Sequence, residues 1–174
     1  MITFVVPIHE WSHQAKVCFD RLHKQLESNE IVVVADQCQL PDIPAKVVHT
    51  STRLYAAGSR NLGAKHATYD VIVFVDSDIL VPNNFVKHCE DNYNKDQSSI
   101  YCFPMGTEVT DAYTAGFKGM LELYSTHYLY DRPRDTIQQL QGYCCVITKK
   151  LLEKTGHWVE TRTMELEEYA TNIH

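Results

Sequence analysis

No turn of the form Gly-x-Gly-x-x-Gly occurs in this sequence, and the first apolar run is followed by Pro7-Ile8-His9-Glu10. Without such glycines the backbone cannot close on a pyrophosphate as a dinucleotide-dependent oxidoreductase requires. Paired cysteines at metal-binding spacing are missing too. The six cysteines (Cys18, Cys38, Cys89, Cys102, Cys144, Cys145) form no Cys-x-x-Cys, and several lie inside apolar runs, where a thiol behaves as a small buried hydrophobe. They read as free thiols of a reducing compartment. Positive charge is scarce: 16 Lys and Arg stand against 22 Asp and Glu, a net charge of −6. No basic stripe could neutralise a phosphate backbone, so nucleic acid is excluded as a partner. Met1 leads directly into Ile-Thr-Phe-Val-Val-Pro, which has no basic leader and is too short to span a membrane. The expected location is the cytoplasm. No long linker or repeat divides the 174 residues, a length that suits one domain with its own core.

What is present is an alternation of buried strands and amphipathic helices. Ile2 to Ile8 is a short apolar run rich in β-branched residues and is expected to stop at Pro7. His9 to His13 then form a loop. From Gln14 to Leu26 apolar residues recur at helical spacing, with Ser12 as the N-cap. Glu30 to Ala35 repeats the continuous apolar pattern of a strand covered on both faces, so strand, helix and strand make a parallel βαβ unit. Ala45 to His49 reads as a third strand. Leu54 to His66, with Gly58 and Gly63 around Ser59-Arg60-Asn61, reads as a loop leading into a helix. Tyr69 to Val75 is the most apolar strand. A helix is expected from Pro82 to Tyr93, a strand from Ile100 to Met105, and a helix from Thr110 to Tyr130. Tyr143 to Thr148 reads as a strand, and Lys149 to Thr155 as a short helix ended by Gly156.

The strand ending at Val75 runs straight into Asp76-Ser77-Asp78. Acids at the carboxyl end of a buried strand stand where α/β sheets bind ligands. Two carboxylates one residue apart can share a hard divalent cation such as Mg²⁺ or Mn²⁺, which prefers oxygen and leaves positions for phosphate. An Asp-x-Asp alone is a weak signal, since solvated loops supply it often.

Its neighbours strengthen it. Ile2 to Ile8, Glu30 to Cys38, Gly58-Ser59-Arg60-Asn61-Leu62-Gly63 and Val73-Phe74-Val75-Asp76-Ser77-Asp78 resemble, in order, the signatures of family 2 glycosyltransferases with the GT-A fold. Gly142-Tyr143-Cys144-Cys145-Val146-Ile147 and Gly156-His157-Trp158-Val159-Glu160 continue the likeness. The resemblance implies an α/β fold with a mainly parallel sheet flanked by helices and a Rossmann-like nucleotide-binding half. Residues 1–105 would bind the nucleotide sugar and residues 106–174 would form the acceptor side of one domain. Many relatives continue beyond this point, so the chain can be part of a longer protein. Among soluble members it looks most like the compact transferases of large algal viruses that act on capsid glycans, which would put it in the host cytoplasm.

The same resemblance implies the roles of individual residues. Pro7, His9, Glu10 and Asp36 would hold the nucleotide, with Asp36 accepting from a uracil N–H. Ala35 stands where many members carry another acid. Arg60 would face the diphosphate or Asp76. Asp76 and Ser77 would lie at the ribose and its water shell, and Asp78, with Asp76, would hold Mn²⁺ or Mg²⁺. The donor would be a UDP-sugar, the acceptor a glycan hydroxyl, and the chemistry an inverting hexosyl or deoxyhexosyl transfer. The general base falls at Glu168 of the Glu167-Glu168 pair, where the family usually has Asp. The run Glu165-Leu166-Glu167-Glu168 leaves a register open in which Glu165 or Glu167 is the base. His157 and His174 are candidate late metal ligands, and Trp158 is either a sugar platform or core packing. Two rivals stand beside this reading. One is a nucleotide-sugar-binding module with weak catalysis, raised by Ala35 and Glu168. The other is a phosphotransferase of the haloacid dehalogenase kind, which Ile79-Leu80 after the second acid fit poorly.

Overall fold

The computed structural model describes residues 1–95, 100–103 and 144–158. In chain order these form β1 (Ile2–Ile8), α1 (His13–His23), β2 (Glu30–Asp36), β3 (Lys46–Thr50), α2 (Tyr55–His66), β4 (Val71–Val75), α3 (Phe85–Lys95), β5 (Tyr101–Cys102), β6 (Cys144–Thr148) and α4 (Lys149–Thr155). The strands make one sheet in the order β3-β2-β1-β4-β6-β5. The first four run parallel, and β6 turns antiparallel against β4 and β5. The mainly parallel α/β architecture expected from the sequence is therefore present.

Period-two alternation sorts the strand residues onto two faces. Phe4, Val6 and Ile8 of β1 join Val73 and Val75 of β4 against α1 and α3, through Cys18, Phe19, Leu22, Phe85 and Cys89. Val5, Ile72 and Phe74 point the other way, onto Ala57 and Ala64 of α2 and Leu152 of α4. Helices on both faces explain why the interiors of β1, β2 and β4 are apolar in near-continuous runs rather than alternating.

Local chemistry sets the ends. Ser12 Oγ accepts the Ala15 N–H at 3.2 Å and caps α1, while Thr148 Oγ accepts from Leu151 N at the same distance and caps α4. Gly156 closes α4 in the left-handed region at φ 85°. Some boundaries differ from expectation. Strand β1 continues through Pro7 to Ile8, because pairing with β4 ends at Val5 and Pro7 faces only Val34 of β2. Helix α1 stops at His23, short of Leu26. The expected strand from Ile100 to Met105 is reduced to Tyr101–Cys102 among the described residues. The expected helix from Thr110 to Tyr130 lies outside them.

The largest correction concerns α2. The glycines expected to form a loop before it lie inside it, and Arg60 sits mid-helix rather than in that loop. A Cβ on Gly63 would lie 2.2 Å from Val5 Cγ1 and 3.2 Å from Val34 Cγ2. That glycine is there so the helix can lie close on β1 and β2.

Candidate active site at the carboxyl edge of the sheet

Because β1, β2 and β4 are parallel, their carboxyl ends share one edge. His9 and Glu10 follow β1 and are exposed, Asp36 closes β2, and Asp76-Ser77-Asp78 follows β4. With β1 between them, β2 and β4 end roughly 10 Å apart, two strand spacings. The topology thus brings together Pro7, His9, Glu10, Asp36, Asp76, Ser77 and Asp78. Glu165, Glu167, Glu168 and His174 lie outside the described residues.

Asp36 is buried, and donors surround it. Its Oδ1 accepts from Thr50 Oγ at 3.0 Å and Leu54 N at 2.9 Å, and its Oδ2 from Tyr55 N at 3.0 Å. Arg53 Nε lies 3.3 Å from Oδ2 and stacks its guanidinium 5.4 Å above the Tyr55 ring. The carboxylate starts α2 by satisfying its first N–H groups. Arg53 is the exposed member of the set, so it stands between the buried carboxylate and solvent. Tyr55 itself is held at φ 58°, a strained value for a residue with a side chain.

Arg60 crosses from α2 to the end of β4. It is 5% exposed, and its Nη2 donates to Asp76 Oδ1 at 2.7 Å. Its guanidinium lies 4.9 Å from the centroid of the Trp158 ring, which meets Phe74 edge-on at 5.5 Å. Trp158 is itself buried, so it packs in the core and offers no open platform to a sugar. Beneath Asp76, the Cys18 thiol points at the Asp76 carbonyl oxygen at 3.6 Å. Burial, then the charges of Asp78 and Asp76, push this thiol up to about 12, so it stays protonated and inert.

Asp76 is partly exposed and Asp78 exposed, so both carboxylates can be reached from solvent. Two hard oxygen donors fit a Mg²⁺ or Mn²⁺ ion that takes its remaining ligands from phosphate and water. Among the described residues no group of three or more His, Cys, Asp or Glu gathers as a closed metal cage. Asn61, Arg53 and Cys18 were not singled out by sequence.

A mainly parallel sheet covered on both faces, with Asp-x-Asp at the carboxyl end of β4, is the α/β architecture of the GT-A class of glycosyltransferase fold, which this chain shares with its structural neighbours. Residues 3–156 match the model of glycosyl transferase family 2, and the chain belongs to that family. It is similar to the mannosyltransferase PcManGT from Pyrobaculum calidifontis in complex with GDP-Man and Mn²⁺, at 18% identity and a TM-score of 0.63, covering 91% of this chain and 47% of that one. It is also similar to residues 1–349 of S. aureus TarS in complex with UDP-GlcNAc, at 18% identity and a TM-score of 0.63, covering 98% of this chain and 53% of that one. An uncharacterized glycosyltransferase of Haemophilus influenzae is 29% identical over 86 residues, which is 45% of this chain and 29% of that protein. The chain thus spans about half the length of these solved structures and less of the curated relative. Among the described residues, no helix is long and apolar enough to cross a membrane.

Proposed function

We propose that this chain transfers a sugar from a UDP-sugar to a glycan hydroxyl, with inversion at the anomeric carbon. The observation that carries the reading is the buried Arg60, bonded to Asp76 at the carboxyl end of β4 beside the exposed Asp78. Membership of glycosyl transferase family 2 supports it, as do fold relatives that hold nucleotide sugars.

On this reading the first half of the chain binds the donor and residues 106–174 form the acceptor side. Pro7, His9, Glu10 and the Asp36–Arg53 pair meet the nucleoside. Asp76 and Ser77 meet the ribose and its waters, and Asp78 with Asp76 holds the divalent cation. When bound, that Mn²⁺ or Mg²⁺ supplies positive charge where the leaving diphosphate gains negative charge. Glu168, or its neighbour Glu167, takes the proton of the acceptor hydroxyl as that oxygen attacks the anomeric carbon. The new carbon–oxygen bond forms opposite the sugar–phosphate bond that breaks, and its electron pair leaves on the phosphate oxygen.

The test is a panel of nucleotide sugars, read by thermal shift with and without Mn²⁺ and by release of nucleoside diphosphate. A UDP-sugar is expected to stabilise the protein only with the metal. Asp78→Ala is expected to lower turnover by about 100-fold or more. Unchanged metal-dependent binding and turnover in that variant would remove the reading. Tight donor binding with neither transfer nor hydrolysis would make the chain a binding module instead.

A further inference from the structure

Among the described residues, three buried side-chain polar atoms lack a hydrogen-bond partner: Ser59 Oγ, Arg60 Nε and Trp158 Nε1. Two of them belong to one contact. The Arg60 guanidinium is bonded through Nη2 to Asp76, while its Nε meets no acceptor. A single hydrogen bond does not by itself fix the plane of the fork, and the Trp158 face at 4.9 Å is a second contact that bears on that plane. The indole N–H is buried unpaired, a cost that a phenyl ring at this position would avoid. What the indole offers in exchange is the strongest π-face for a cation.

Trp158 is in turn fixed from the residue beside Arg60. The Asn61 side chain donates through Nδ2 to the Trp158 carbonyl at 2.8 Å and accepts the Trp158 N–H through Oδ1 at 3.0 Å. Two successive residues of α2 therefore engage a single residue beyond α4. Asn61 takes its backbone and Arg60 takes its ring.

We infer that Trp158 is a positioning residue for the metal-binding acid: its ring, anchored by Asn61, holds Arg60 in the plane that orients the Asp76 carboxylate. The consequence for metal affinity rests on the function proposed above, whereas the hold on Arg60 does not.

The full chain tests both parts. In a ¹⁵N–¹H spectrum the Arg60 Nε–Hε signal is expected to be ring-current shifted and slow to exchange. Trp158→Leu is expected to move it to the position of a free arginine, and Trp158→Phe to keep it shifted. Mn²⁺ is then titrated in the presence of UDP, following the free-ion electron paramagnetic resonance signal. Trp158→Leu is expected to weaken binding about tenfold, within the range of one cation–π contact, with Trp158→Phe restoring most of it. Leu152→Ala, which loosens the same cluster without touching Arg60, is expected to leave the affinity near wild type. If Trp158→Leu does not fold, Asn61→Ala carries the test, with the same expected change in the Arg60 signal.

An Arg60 signal unmoved in Trp158→Leu, or in Asn61→Ala where that variant carries the test, would overturn the inference, as would a Leu152→Ala loss equal to that of Trp158→Leu. Wild-type protein that binds neither Mn²⁺ nor UDP sinks the functional reading instead, and the Arg60 spectrum alone then decides the positioning role.

Discussion

Among single residues, Asp36 illustrates how one carboxylate can be read two ways. Its position after β2 marks it for a nucleotide base, yet in the fold it caps α2 and receives Thr50, Leu54, Tyr55 and Arg53. Removing it leaves the part-buried N–H groups of Leu54 and Tyr55 without their acceptor. Asp36→Ala is therefore expected to destabilise the protein by about 2 kcal/mol, and Asp36→Asn by less, because the amide oxygen still accepts. Urea denaturation of the two variants checks the order, and an Asp36→Ala protein as stable as wild type would remove the capping role. Asp76 and Asp78 were legible in sequence because a buried strand fixes where its next residues emerge. The burial of Arg60 was not. Part of its cover is the Trp158 ring, whose anchor Asn61 is 97 residues away along the chain.

At the level of elements, α2 departs furthest from its local sequence signal. Gly58, Ser59, Asn61 and Gly63 all have low helix propensity, which is why the segment reads as a loop. Two tertiary terms override that propensity: the Asp36 carboxylate at the first turn and the close seat of Gly63 on Val5 and Val34. Gly63→Ala is expected to cost about 1–3 kcal/mol despite the better propensity of alanine, because Val5 must shift to admit the methyl group. Thermal unfolding decides this, since a variant of raised stability would show that helix propensity governs α2. In contrast α4 was legible to the residue, because Thr148 and Gly156 are local caps that act without distant partners.

For the molecule as a whole, the edge opposite the site is tied by Glu30. Its carboxylate accepts from Thr3 Oγ of β1 at 2.8 Å and from Thr68 N and Oγ, before β4, at 2.9 and 2.8 Å. Partial burial alone would raise this group. The donors from Thr68 and Thr3, with Lys46 nearby, outweigh it and hold the carboxyl below its ordinary value of 4.5. A carboxylate lowered by folding contributes stability above about pH 4.5 and loses it as pH falls through its folded value. The difference in urea midpoint between wild type and Glu30→Gln is thus expected to be full at neutral pH and to shrink in acid. A difference independent of pH would mean that the charged form is not preferred in the fold.

The sequence by itself determined the order of the described strands and helices, the covered, mainly parallel sheet and the Asp-x-Asp at its carboxyl edge. These follow from periodicity, capping residues and the blocks that resemble the family, all of which are local along the chain. Only the tertiary structure decided that Asp36 begins a helix, that Arg60 is buried and that Trp158 lies against it. Those facts depend on residues distant in sequence being packed together, and burial and pairing exist only once the layers have closed.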